Sequence, residues 1–214
     1  MDEAVENLIV GVDEALTHLK IQNTKVEQDR VLLWLQEISA AIEEEIQDNV
    51  VERSYEEILD GSGSSELMLR HGPVSRLVRT TEADPTSILG SLRYRSSGTG
   101  AWANLVDDSD SIYIDGYGRT IELLDGLWFP SGQKNIRVNY VAGWKPADVP
   151  GTIRLVCFEM LQIKYRMYVH GELGKSSENQ AGIGTGMGGA TVTYAHAELT
   201  AEHKKALAKF KRLV

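Results

Sequence analysis

The sequence predicts an α+β protein: a helical bundle core with an inserted antiparallel β-rich module and a C-terminal arm and helix. Apolar residues recur at helical spacing before residue 50 and again after Pro150. Between them the period changes to strand-like alternation, punctuated by Gly61, Gly63, Gly98, Gly100, Gly116, Gly126 and Gly132. The changeover lies within 136–169. There the alternating run Ile136-Arg137-Val138-Asn139-Tyr140-Val141 passes through Gly143-Trp144-Lys145-Pro146 into an apolar helix. The predicted organisation is 1–52 for the N-terminal helices of the core and 53–145 for the inserted module. Residues 146–214 supply the central helix, a glycine-rich loop and a C-terminal helix.

Residues 13–20 read as a short helix, with acids in the first turn and Lys20 in the last, as the helix dipole favours. Val12, Leu16 and Leu19 form its expected buried side. A second helix runs over about 27–49, with Val31, Leu32, Leu35, Ile38, Ser39, Ile42 and Ile46 on one face. Glu43, Glu44 and Glu45 point apart on a helix and read as a solvated face, not as metal ligands.

From residue 53 the strands begin. Residues 54–59 and 66–70, around Asp60-Gly61-Ser62-Gly63, read as a hairpin closed by a glycine turn. Further strands are expected at 74–79, 92–95, 102–106, 111–114 and 120–124, an antiparallel sandwich or barrel-like module. The helix after Pro150 carries two apolar stripes. One is Ile153, Val156, Cys157, Met160, Ile163 and Met167; the other is Leu155, Phe158, Leu161, Tyr165 and Tyr168. Two stripes predict a central helix touched on most sides. Residues 171–189 are rich in glycine and read as a mobile loop. A last helix starts near Thr200, with Ala206, Leu207, Phe210 and Leu213 as a narrow apolar seam.

Composition limits the function classes. The formal net charge of −9 argues against an outer surface that grips nucleic acid, which needs clustered Lys and Arg. The acid excess is local: residues 1–52 hold 13 acids against Lys20, Lys25 and Arg30. The last stretch reverses it with Lys204, Lys205, Lys209, Lys211 and Arg212, so the two ends can meet within one chain or between subunits. Cys157 is the single cysteine and reads as a small buried hydrophobe. With no signal-like N-terminus and no long apolar run, a soluble protein of a reducing compartment is expected, away from membranes.

No catalytic, cofactor or metal constellation emerges. Gly184-Thr185-Gly186-Met187-Gly188-Gly189 satisfies GxGxxG, but no βαβ unit surrounds it, so it reads as a loop. His18, His71, His170, His196 and His203 are scattered and read as surface residues. Asp107-Asp108-Ser109-Asp110 lacks the glycine and distal glutamate of a calcium loop and reads as a polar turn.

The order of features resembles the head-to-tail connector (adaptor) proteins of tailed bacteriophages. The residues that carry it are the helices at 12–21 and 32–43, then Tyr55-Glu56-Glu57-Ile58-Leu59-Asp60-Gly61-Ser62-Gly63, Glu66-Leu67-Met68-Leu69 and Gly72-Pro73-Val74. Residues 136–144, Val149-Pro150 and the long helix complete it. The resemblance implies a non-enzymatic structural virion protein without a cofactor, located at the neck and made in the host cytoplasm. It implies a homo-oligomeric ring, typically a dodecamer, beneath the portal protein. A stopper or tail completion protein would join the other side. Double-stranded DNA would cross the channel without sequence-specific binding. Combined with the terminal seam, it places the portal interface at Lys204, Lys205, Leu207, Phe210, Lys211, Arg212 and Leu213. The segment around 91–115 matches no shared pattern. The rival reading is a β-domain binding module of the virion or cell surface, recognising a glycan or protein through Trp102, Tyr113, Tyr117 and Trp128.

Overall fold

The computed structural model describes residues 8–78, 91–96, 100–106, 111–115, 118–170, 177–180, 190–193 and 199–211. The chain divides into two compact units, Met1–Gln47 with Pro150–Val214, and Asp48–Val149.

In the first unit, α1 (Val12–Leu19) opens with Asp13 and Glu14 and stops at Lys20, which turns into the left-handed region at φ 57°. The α2 helix (Lys25–Ile46) starts at Thr24, whose hydroxyl accepts from the Glu27 N–H at 3.4 Å. It buries Val31, Trp34, Leu35, Ile38, Ser39, Ile42 and Ile46, a spacing of three and four that draws one continuous stripe. Ser39 satisfies its burial by accepting from the Ile9 N–H at 3.4 Å. The α3 helix (Gly151–Val169) lays Ile153, Val156, Cys157, Met160, Leu161 and Met167 against this core. Cross-helix contacts fix the register: Arg154 pairs with Glu14, Lys164 with Glu37, and His18 stacks on Phe158 at 4.3 Å. The second apolar stripe is only partly covered. Leu161 is fully buried and Phe158 and Tyr165 are half-buried, whereas Leu155 is 57 % and Tyr168 41 % exposed, so α3 is covered on most sides and keeps one open stripe. Within the expected loop, residues 177–180 form a strand instead: β9 (Ser177–Gln180) pairs antiparallel with β10 (Ala190–Thr193). The β-branched run Thr191-Val192-Thr193 favours that ladder. The intervening GxGxxG segment lies outside the described residues. A short helix, α4 (Ala201–Leu207), and a 3-10 turn (Ala208–Phe210) end the unit.

The second unit is built on β8 (Gly132–Ala142), the longest strand. It pairs antiparallel with β1 (Arg53–Gly61), with β4 (Leu92–Tyr94) and, at its end, with β3 (Val74–Leu77). The strand β5 (Ala103–Asn104) extends the sheet beyond β4. A separate three-stranded sheet has the order β2 (Glu66–Met68), β7 (Thr120–Leu123), β6 (Ile112–Ile114). Alternation along β8 sends Ile136, Val138, Tyr140 and Ala142 to one core, where they join Leu67, Leu69, Val74, Leu77, Leu92, Ile121, Leu123 and Phe129. Arg137, Asn139 and Val141 take the opposite face.

The expected 54–70 hairpin does not form, since β1 pairs with β8 and β2 with β7. The glycines mark a change of sheet and a close approach. A Cβ on Gly61 would fall 1.8 Å from the Pro130 carbonyl oxygen, so the strand can pass there only as glycine.

Candidate functional site

The predicted interface helix is short and strongly fixed. Thr200 and His203 form a reciprocal cap: the His203 N–H donates to Thr200 Oγ1 at 3.2 Å, and the Thr200 N–H to His203 Nδ1 at 3.3 Å. With Nδ1 accepting, Nε2 carries the proton and donates to Glu159 at 3.0 Å. Thus His203 is 7 % exposed and serves as a fastener, where the sequence reading made it a surface residue. Leu207 is fully buried in its own helical unit, so it anchors α4 and is not available to another protein. Lys204 and Lys211 stand 4.0 and 2.5 Å from Glu45, and Lys209 donates to Thr152 Oγ1 at 3.1 Å. The complementary ends therefore meet inside one chain. Lys205 is exposed and Phe210 half-buried beneath Lys209. Arg212 and Leu213 lie outside the described residues.

Leu207→Ala is expected to cost about 3 kcal/mol by leaving a cavity under α4. The loss should appear in a urea unfolding midpoint, while Lys205→Glu should leave that midpoint unchanged.

A polar hub in the β unit has no signature in the sequence. The Asp48 carboxylate, 3 % exposed, meets His71 Nδ1 at 2.8 Å and Arg119 at 3.2 Å. It also accepts the N–H groups of Asn49 at 2.9 Å and Gly72 at 3.2 Å. His71 stacks on Tyr55 at 4.1 Å, and Tyr55 packs on Tyr140 at 5.4 Å. The Tyr140 hydroxyl donates to Glu57 at 2.6 Å and accepts from the His71 N–H at 3.2 Å. Burial first, and then the Glu57 carboxylate, push the Tyr140 phenol well above its ordinary range, so it stays protonated. Every partner here is a strand or loop of the same unit, which makes the hub a brace for residues 69–73. Asp107 to Asp110 lie outside the described residues. Among the described residues no three His, Cys, Asp or Glu side chains gather as metal ligands, and no helix is long and apolar enough to cross a membrane.

Burial pushes the Cys157 thiol up to about 12 from 9.0. The unfolded thiol therefore releases its proton at lower pH than the folded one. Stability from this group is intact below pH 9.0 and falls as pH rises toward 12. Native protein should resist iodoacetamide at neutral pH and react once unfolded, which mass spectrometry reads directly.

The aromatics of the rival reading differ in exposure. Trp128 and Tyr113 are 66 % and 54 % exposed. Trp102 is half-buried, with the Arg95 and Arg137 guanidinium groups 4.5 and 4.6 Å from its ring centre. Tyr117 lies outside the described residues.

No family model and no curated protein matches the chain. Among solved structures it is similar to a chain in the neck of an empty gene transfer agent (GTA) particle, computed with C6 symmetry. That match has 17 % identity and a TM-score of 0.52, and covers 98 % of this chain and 93 % of that one. A chain from the virion of the native GTA particle is 15 % identical, with a TM-score of 0.47 and coverage of 96 % and 91 %. At 17 % identity the first likeness is one of fold: over nearly its whole length the chain shares the α+β fold of that GTA neck chain.

Proposed function

We propose that the chain is a structural neck protein, a head-to-tail connector that forms a ring beneath the portal and joins the head to the stopper or tail. The observation that carries the reading is the fold shared with a GTA neck chain over 98 % of this sequence. The C6 symmetry of that neck supports a repeat of six or a multiple of it, the expected dodecamer included. In this reading DNA crosses the channel without being gripped, in keeping with the net charge of −9.

The portal-facing surface is then the outer side of α4 and the residues after it: Lys204, Lys205, Phe210, Lys211, Arg212 and Leu213, with Leu207 holding the helix in place. Lys205→Glu is expected to weaken portal binding roughly tenfold or more, because one rim charge is repeated around the ring. A pull-down with portal rings tests it, and undiminished binding counts against this surface.

Exposure of Trp128 and Tyr113 keeps one second reading in view, a β domain that binds a glycan. Glycan-array binding by the full chain, lost in Trp128→Ala, would favour it.

A further inference from the structure

One face of the larger sheet gathers Arg93, Arg95 and Arg137 around Trp102. Arg93 sits directly opposite Arg137 on the neighbouring strand, a like-charge pairing that opposes sheet formation. The Arg95 and Arg137 guanidinium groups both lie on Trp102. Arg95 is further held by donating to the Lys134 carbonyl at 3.1 and 2.9 Å. Among the described residues the acid beside this cluster is Glu56, 3.6 Å from Arg137 Nε and beyond hydrogen-bond length. The buried Nε atoms of Arg93 and Arg137 donate to no described residue. Ile58, opposite Arg137 on β1 and 39 % exposed, adds an apolar spot to the same face.

The helical unit presents the complement. Val26, Asp29, Leu33, Glu37, Ala40 and Glu44 are all exposed, and their spacing places them in one stripe along α2. Val26 and Leu33 are 65 % and 55 % exposed, an unusual display for a helix whose opposite face is fully packed. Acids alternate with apolar side chains on the stripe, as arginines lie among Trp102 and Ile58 on the sheet.

We propose that the arginine and tryptophan face of one copy receives the α2 stripe of a neighbouring copy, with Arg93, Arg95 and Arg137 answering Glu44 and Asp29; Asp29 exchanges its exposed intrahelical partner Lys25, while Glu37 stays with Lys164. The inference rests on the ring reading and names its subunit contact. Two different surfaces of one chain then meet, the head-to-tail arrangement that closes into rings. Carboxylates on a helix suit this face better than DNA phosphates do, since a duplex would also meet the repulsion of a chain with net charge −9.

The test uses two full-length variants, Arg93→Glu with Arg137→Glu, and Asp29→Lys with Glu44→Lys, which leave the Lys164–Glu37 pair intact. Each alone sets like charge against like and should stay unassembled under conditions where the wild type forms rings, with portal present if the wild type requires it. Mixed one to one they should alternate and restore rings, which native mass spectrometry detects; misfolded variants could not be rescued in this way. Wild-type assembly should also weaken as salt rises. Variants that assemble alone like the wild type overturn this contact and leave the ring reading standing, as does a mixture that fails to assemble although both variants fold. A wild type that forms no ring, with or without portal, overturns both.

Discussion

Gly143→Ala should unfold the β unit or lower its stability by about 3 kcal/mol, combining backbone strain with overpacking. Gly143 has φ +106°, and an added Cβ would lie 2.7 Å from the Val51 carbonyl carbon and oxygen. Neither obstacle can yield cheaply. The Val51 and Trp144 segments are joined through hydrogen bonds from the Glu52 N–H to the Trp144 carbonyl at 3.0 Å and from the Trp144 N–H to the Val50 carbonyl at 2.8 Å. Gly143 itself donates to the Pro73 carbonyl at 2.9 Å, tying in β3. Gly151→Ala is the control: its Cβ would meet nothing within 4 Å at the start of α3, so alanine there should be neutral or slightly stabilising. Urea denaturation followed by circular dichroism separates the two, and equal midpoints would contradict this account of Gly143.

Asp48→Ala should cost about 3 kcal/mol, the usual scale for removing one partner from a buried charged network. The substitution strands the His71 ring, the Arg119 guanidinium and the Gly72 N–H together. Asp48→Asn keeps the shape and an acceptor but loses the charge that Arg119 faces, so it should fall between the wild type and alanine. A thermal melt of the three proteins reads the order. If alanine and asparagine matched the wild type, the hub would be incidental to the β unit.

What the sequence displays well is periodicity. The α2 stripe from Val31 to Ile46 and the alternation of β8 are both dictated by local spacing, and they appear where the spacing puts them. Pairing is another matter. Gly61 and Gly63 look like turn glycines, but β1 reaches its partner across more than seventy residues, and the reason for Gly61 is Pro130, far along the chain. The Asp48 hub was invisible for the same reason, since Asp48, His71 and Arg119 are each unremarkable until folding joins them. For the candidate interface, a helical seam was legible at 206–213. Periodicity alone does not tell whether a seam faces its own chain or a stranger, and Leu207 faces its own. Likewise periodicity marks the second stripe of α3 as apolar throughout, but only its Phe158, Leu161 and Tyr165 are covered, while Leu155 and Tyr168 remain open within one copy.

The proposed role of this chain is that of a ring-forming connector. Mass measurement of the purified protein, alone and after mixing with portal rings, tests it most directly. A complex with six or twelve copies of the chain per portal ring is the predicted result. A chain that remains a monomer in the presence of portal, with no complex at any ratio, would contradict it.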